Sequence, residues 1–172
     1  KKIDGPAREG ELVDLYDNKD EFLASGHYQQ GSIAVRVISF EPMETNQQFW
    51  DQRIGDAWKL RETLGLVANL QTNVFRWVNA EGDGLPGLIV DYYAGAVVVQ
   101  MHSIGMYLIR EELVKALQEV MGDKLKTVYN KSSKTLPFKS DVVSEDGYLL
   151  GEKSENEVLE YGLRFKVDWE LG

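Results

Sequence analysis

The segment Asn79–Tyr93 reads NAEGDGLPGLIVDYY, and its glycines restrict what the chain can fold into. Residues Gly82 to Gly87 fit the pattern G-x-G-x-x-G, which binds a dinucleotide when the glycines follow a strand and open a helix. Here a β-branched and aromatic run, Leu88 to Tyr93, follows a proline and predicts a strand. Because Phe75 to Val78 are also strand-like, the segment predicts a turn between two strands rather than a cofactor loop.

The first part of the chain alternates strand-like runs with turn residues, which predicts a small barrel of short antiparallel strands. These runs cover residues 11–16, 21–26 and 33–40. After Pro42, either Thr45 or Asn46 is suited to cap a helix that ends before Gly65. The helix carries an apolar stripe with Trp50 and Trp58, which suits packing against a domain or, alternatively, stacking on bases.

The remainder of the chain predicts one α+β domain. Three strands over residues 75–102 precede a helix capped by Ser103 and ended by Gly122, with its buried face formed by Ile109, Leu113, Leu117 and Val120. A short strand over residues 127–130 and a hairpin around Gly162 follow. The expected order is β-β-β-α-β-β-β in a compact sheet domain.

The formal net charge of −9 argues against nucleic-acid binding by overall charge, since neutralising phosphates requires lysine and arginine. The distribution is uneven, because residues 122–140 hold one acid, Asp123, and five lysines: Lys124, Lys126, Lys131, Lys134 and Lys139. Two interpretations stay open at this point. The segment is either a solvated loop or a basic edge that faces phosphates.

The residues present no recognisable catalytic or metal site. The two histidines, His27 and His102, stand alone in the sequence, and the acids Glu81, Asp83 and Asp91 lie where turn residues are expected. The chain has no cysteine, so it has neither a thiol nucleophile nor thiolate ligands for zinc. No run reaches membrane-spanning length and the N-terminal residues lack a signal-peptide core, so we expect a soluble cytoplasmic protein.

Several motifs resemble one enzyme family. Asn79 to Asp91 resembles the "GE-x-DGLPGL-x-VD" signature of the S-adenosylmethionine-dependent cytosine-5 methyltransferases of large-subunit ribosomal RNA. Gly26 to Val37 is similar to the family's PUA segment "GYYNPxSxIxxRV", although Gln29-Gln30-Gly31 stands where the family tends to have Asn-Pro-x-Ser. Residues 97–106 are similar to "VLQ-x-x-S-x-G", and residues 161–168 to "NGL-x-F-x-VD".

The resemblance implies a fold class and a division of the chain. Residues 1–44 would form a PUA-like domain that lacks its first strand, residues 45–71 a connecting helix and linker, and residues 72–170 the central α+β domain. In the family the last motif continues into a Rossmann-like methyltransferase domain. We therefore expect the cofactor S-adenosylmethionine to be bound by the full-length protein and not by these residues, which we expect to be inactive alone.

The resemblance also implies that the partner is large-subunit ribosomal RNA, with no membrane involved. The candidate RNA-binding residues are Lys19, His27, Tyr28, Arg36, Lys124, Lys126, Lys131, Lys134 and Lys139. Aromatic and arginine side chains can stack on unpaired bases even where the net charge is unfavourable. The alternative hypothesis is a protein-interaction module without RNA affinity, in which the Trp50/Trp58 helix face docks a partner or forms a homodimer.

Overall fold

The protein is described by a computed structural model over residues 5–137, 142–153 and 156–171. Within these ranges, the strands are β1 Leu12–Tyr16, β2 Phe22–Tyr28, β3 Val35–Ser39, β4 Val74–Asn79, β5 Leu88–Tyr93, β6 Ala96–Met101, β7 Thr127–Asn130, β8 Gly147–Leu150, β9 Asn156–Glu160 and β10 Leu163–Val167. The helices are α1 Gln47–Thr63, α2 Ile104–Leu108 and α3 Arg110–Met121. The expected α+β fold class is confirmed.

The strands pair into three sheets. The N-terminal sheet has the order β1-β2-β3, and β9 and β10 form a separate antiparallel hairpin. The central sheet has the order β4-β5-β6-β7-β8, in which only the β6–β7 pair is parallel. Helices α2 and α3 connect these two parallel strands, as a parallel pairing requires a crossover.

Helix α1 begins and ends where its sequence signals predict. The Asn46 side chain accepts a hydrogen bond from the Phe49 backbone N–H at 3.0 Å, and Gly65 follows the helix with a φ of 72°. The buried residues recur every three or four positions and face the central sheet: Trp50, Ile54, Ala57 and Arg61. Helix α1 packs along α3 and against β4, so both long helices cover one face of the sheet.

The two tryptophans of α1 belong to this core. Trp50 is 1% exposed, and the Trp58 ring lies 4.5 Å from the Trp77 ring and 5.8 Å from the rings of Phe75 and Tyr92. The packing interpretation is therefore confirmed. The alternative in which Trp50 docks a partner is wrong, because that side chain is already enclosed.

The opposite face of the central sheet, which we call the outer face, is partly covered by the C-terminal residues. Trp169 is buried there against Ala96, Val98 and Tyr129. Cross-strand pairing places Arg76, Asp91 and Val98 in one row on this face. Tyr129 and Tyr148 continue the row, so the outer face carries both charged and aromatic side chains.

The N-terminal sheet packs closely on α2. A Cβ atom at Gly105 would lie 2.2 Å from His27 Nδ1, and one at Gly10 would lie 2.6 Å from Leu108 Cδ1. Ile38 of β3 joins the same apolar core as α1 and the central sheet. The domain boundaries expected at residues 44 and 71 stay a prediction, and α1 shares its core with both neighbours.

Two details differ from the sequence expectation. The helix after Ser103 is interrupted at Ile109, whose φ of −95° and ψ of 20° separate α2 from α3. Strand β8 was not expected, because Gly147–Leu150 is too short to show a strand periodicity of its own. It forms by pairing with β7, a contact that local sequence does not encode.

Candidate nucleic-acid interface

The glycine segment after β4 forms a structural turn, as the sequence predicts. A 3₁₀ turn covers Ala80–Asp83, Gly84 and Gly87 have φ values of 69° and 83°, and strand β5 follows directly. A Cβ atom at Gly87 would lie 2.9 Å from Ser103 Oγ, so the glycine allows the turn to approach the start of α2. Leu85 of the same segment is fully buried. Because Ser103 lies against Gly87, the segment leaves no room there for the phosphate of a cofactor.

Asp83 anchors this turn to helix α1. Its carboxylate accepts two hydrogen bonds from the Arg61 guanidinium, at 2.5 and 2.8 Å, and one from the Asn79 backbone N–H at 2.6 Å. Both side chains are buried, at 9% and 3% exposure. Asp91, also expected in a turn role, lies within β5 and pairs with Arg76. Among the described residues, no group of three or more His, Asp and Glu side chains is arranged to hold a metal ion.

The lysine-rich residues 122–140, which we call the basic segment, are divided by strand β7. Lys124 and Lys126 lie exposed before the strand, where the Lys126 backbone N–H bonds to Gly95 of the β5–β6 turn. Lys131 and Lys134 follow the strand, so the four residues of β7, which rise roughly 13 Å, lie between the two pairs. The Lys131 ammonium donates to the Trp169 carbonyl at 2.5 Å. Lys139 lies outside the described residues.

The N-terminal candidates occupy different environments. Lys19 is exposed in the β1–β2 turn, and Tyr28 is half-buried at the end of β2. His27 is 5% exposed, with its ring 6.3 Å from that of Trp50. Burial lowers the pKa of His27 to about 4, because the charged imidazolium would lose its hydration. His27 is therefore a neutral packing residue in this structure.

Arg36 of β3 forms an ion pair that joins the N-terminal sheet to the turn after β4 of the central sheet. It pairs across the strands with His27, and its Nη1 atom lies 3.6 Å from the Glu81 carboxylate in the 3₁₀ turn. His102, exposed at the end of β6, is near enough for both charges to act on it. Partial burial and the Arg36 charge lower the pKa of His102, while Glu81 opposes this.

Sequence reasoning did not bring these residues together. It treated His102 as isolated and Glu81 as a turn residue, although Glu81 belongs to the glycine segment and His102 immediately precedes the helix cap Ser103. The useful signal was their position at the ends of two strands of one sheet. Arg36 and Glu81 approach within 3.6 Å of each other, and the charges of Arg36, Glu81 and Arg76 all act on His102.

Comparisons with known proteins give matches to the N-terminal residues and to the chain as a whole. A family described as "PUA-like domain" matches residues 1–40. A ribosomal RNA large subunit methyltransferase I from Alteromonas mediterranea is 34% identical over 99% of this chain, and one from Vibrio vulnificus is 33% identical over 97%. The chain is therefore similar to these methyltransferases over nearly its whole length. It spans 43% and 42% of the length of these two relatives.

A solved structure has the same fold as this chain. The protein, from Streptococcus mutans and described as a SAM-dependent methyltransferase, superposes with a TM-score of 0.76 at 22% identity. The superposition covers 94% of this chain and 41% of that one. The family resemblance seen in the sequence is thus confirmed. No helix in the described part of the chain is long and apolar enough to cross a membrane.

Proposed function

We propose that this chain is the RNA-recognition and linker portion of a cytoplasmic methyltransferase that modifies large-subunit ribosomal RNA at the C5 position of cytosine. The observation that carries the proposal is the match of nearly the whole chain to ribosomal RNA large subunit methyltransferases. The PUA-like N-terminal sheet and the central sheet pack together, so RNA bound by one would be positioned relative to the other.

The methyl transfer itself belongs, in this proposal, to residues outside the chain. Methylation at C5 of cytosine would use a cysteine thiolate that adds at C6, and the 172 residues contain no cysteine. The methyl donor would be S-adenosylmethionine. The filled glycine turn supports the view that the donor is held elsewhere, because Ser103 occupies the space next to Gly87.

The proposed RNA contacts are the accessible candidates. Lys19, Lys124, Lys126 and Lys134 are exposed, and Arg36 and Tyr28 are partly exposed. The acidic balance of the chain means that these groups would supply local phosphate contacts rather than a broad positive field. His27, being buried, would contribute by packing, and Lys131 would first have to leave the Trp169 carbonyl.

Binding of the 172-residue chain to a fluorescent transcript of large-subunit ribosomal RNA tests the proposal. We expect binding that weakens steeply between about 50 and 200 mM salt, because phosphate contacts release counterions. A DNA duplex of equal length is the matched competitor. Failure to bind the transcript at low salt, with the protein folded, would reject RNA recognition by this chain.

A protein-interaction module is the second candidate, favoured by exposed apolar side chains on another surface. Leu70 is 93% exposed and Tyr161 82% exposed, and they flank the hydrogen bond between Gly162 N–H and the Gln71 carbonyl. A homodimer through this surface would appear in light scattering after size exclusion. A dimer that dissociates in Leu70→Ser and has no RNA affinity would support this candidate over the first.

A further inference from the structure

A cavity of about 350 Å³ lies between the outer face of the central sheet and the β9–β10 hairpin. Val74 and Tyr93, which are cross-strand partners on β4 and β5, form its wall on the sheet. Val158 pairs with Phe165 across the hairpin and Val167 lies two positions further on, so these three side chains form the opposite wall. Since ligand pockets hold roughly 300–1,000 Å³, the cavity suits one small ligand with a largely apolar body.

Hydrogen bonds fix the hairpin beside β4 and so keep the cavity in shape. The Asn73 backbone N–H donates to the Leu159 carbonyl at 2.9 Å, and the Asn73 side chain accepts from the Leu159 backbone N–H at 2.7 Å. The Tyr161 backbone N–H donates to the Thr72 hydroxyl at 3.0 Å. Both walls are therefore held in place before a ligand arrives, and binding does not have to order the hairpin.

The charged side chains that border the cavity are Glu160, Lys166 and Asp168. The Asp168 carboxylate is already occupied, because it accepts from the Lys153 ammonium at 3.3 Å and from the Glu170 backbone N–H at 3.0 Å. Within the described part of the chain, the Glu160 carboxylate and the Lys166 ammonium form neither a hydrogen bond nor an ion pair, and both residues are exposed. The cavity therefore offers one free acceptor and one free donor that a ligand can reach from solvent.

The separation of these two free charges restricts the ligand. Glu160 pairs with Leu163 beside the hairpin turn, and Lys166 lies three positions further along β10, about 10 Å at the rise of a strand. A free amino acid carries its ammonium and carboxylate on one carbon atom, so it cannot reach both. A nucleotide has a base edge at one end and a phosphate at the other, with a flat ring that suits the walls formed by Phe165 and Tyr93.

We propose that this cavity binds one guanine nucleotide of single-stranded RNA. The base would lie against the Phe165 ring, which is 43% exposed, while Glu160 accepts hydrogen bonds from the base and Lys166 donates to the phosphate. Guanine is favoured because its Watson–Crick edge presents two adjacent N–H donors, which match the two oxygens of a carboxylate. Adenine and cytosine place an acceptor beside their amine, and uracil has one donor between two acceptors. The inference rests on the proposed RNA-recognition function and assigns it a location and a base preference.

Titration of the 172-residue protein with nucleotides, followed by nuclear magnetic resonance, tests the base preference. Guanosine 5′-monophosphate should shift the signals of Glu160, Phe165 and Lys166. Inosine 5′-monophosphate lacks the exocyclic amine and should bind about tenfold more weakly, because one hydrogen bond to the carboxylate is lost. Adenosine 5′-monophosphate should bind more weakly than the guanine nucleotide as well. Equal affinities for the guanine and adenine nucleotides would overturn the proposal.

Two conservative variants of strand β9 separate recognition from folding. Glu160→Gln should weaken binding of the guanine nucleotide about tenfold and remove its preference over inosine, because an amide has one acceptor oxygen instead of two. Glu157→Gln is the matched control, since Glu157 is an exposed carboxylate of the same strand that pairs with Arg164 and does not border the cavity. Equal affinities of the two folded variants would contradict the role of Glu160. Lys166→Gln should weaken the nucleotide more than the nucleoside guanosine, which has no phosphate.

The outcomes separate the inference from the function on which it rests. A single-stranded ribosomal RNA oligonucleotide that binds folded Glu160→Gln and the unsubstituted protein equally would overturn this site while leaving RNA recognition intact. Absence of RNA binding by the unsubstituted protein would reject both. If guanosine 5′-monophosphate shifted the cavity signals and the oligonucleotide did not, the ligand would be a free nucleotide and the RNA assignment would be wrong. Shifts with free arginine alone, whose guanidinium also has adjacent donors, would overturn the nucleotide proposal.

Discussion

Arg61 of helix α1 and Asp83 of the β4–β5 turn form a buried, bidentate ion pair that joins the helix to the central sheet. The Arg61 Nε–H also donates to the Arg76 carbonyl at 2.9 Å. Asp83 of the glycine segment therefore has a structural role, because its negative charge is paired with the Arg61 guanidinium in the protein interior.

Replacing Asp83 with alanine should lower the free energy of unfolding by about 3–5 kcal/mol, because it leaves the buried Arg61 charge without a partner. Urea denaturation followed by circular dichroism measures this. The control is Asp91→Ala, which breaks the pair with Arg76, a side chain that is 48% exposed. That change should cost about 1 kcal/mol or less. Equal losses in both variants would contradict the assigned role of burial.

Gly105 should not tolerate a side chain. A methyl group there would lie 2.2 Å from the His27 ring, so Gly105→Ala should push the N-terminal sheet away from α2 and lower the thermal midpoint. Gly55→Ala is the matched control in helix α1, where the nearest atom to the new methyl would be 3.9 Å away. It should stabilise the protein by roughly 0.5–1 kcal/mol. A Gly105→Ala variant with an unchanged thermal midpoint would mean that the N-terminal sheet and helix α2 are not packed as described.

Stability should depend on pH through His27. The pKa is about 4 in the folded protein against an ordinary value of 6.5, so in this interval the unfolded chain binds more protons. The free energy of unfolding should therefore fall as the pH drops from about 6.5 towards 4. The full loss is roughly 3 kcal/mol, at about 1.4 kcal/mol for each pKa unit. Above the ordinary pKa this contribution is constant.

The substitution His27→Phe isolates this effect, because it keeps a buried ring and removes the titrating group. Urea denaturation at several pH values should show a shallower pH dependence than in the unsubstituted protein. His102 also has a lowered pKa and would contribute the same sign, so His102→Gln serves as the second comparison. An unchanged slope in His27→Phe would show that His27 is not the responsible group.

Charge reversal should reveal which end of the basic segment meets RNA. The double variant Lys124→Glu/Lys126→Glu should weaken binding across RNA sequences and reduce the salt slope by about 1 for each lost phosphate contact. Lys134→Glu tests the other end of β7 separately. The control is Lys59→Glu on α1. The Lys59 side chain is 77% exposed, and its ammonium lies 4.0 Å from the Asp56 carboxylate, which is a weak ion pair. An affinity equal to that of the control would remove the lysines from the interface.

Local signals were sufficient for the strands, caps and turns. Asn46 and Ser103 cap helices as expected, and the glycines around Asp83 form a turn, because these preferences depend on neighbouring residues alone. The apolar periodicity of α1 predicted Trp50, Ile54 and Ala57 on its buried face, but it missed the buried Arg61 and wrongly included Leu64, which is exposed. Strand β8 was missed because it forms by pairing with β7, a contact that local sequence does not encode. The break at Ile109 was also missed.

The sequence by itself determined the fold class, most of the element types and the family resemblance, because periodicity, turn chemistry and short motifs depend on local stretches of the chain. Only the tertiary structure decided which polar groups meet. It divided the lysines between the two ends of β7, buried His27, and brought Arg36 beside Glu81. These outcomes follow from strand register and sheet packing, in which a one-residue change would move every side chain of a strand to the opposite face.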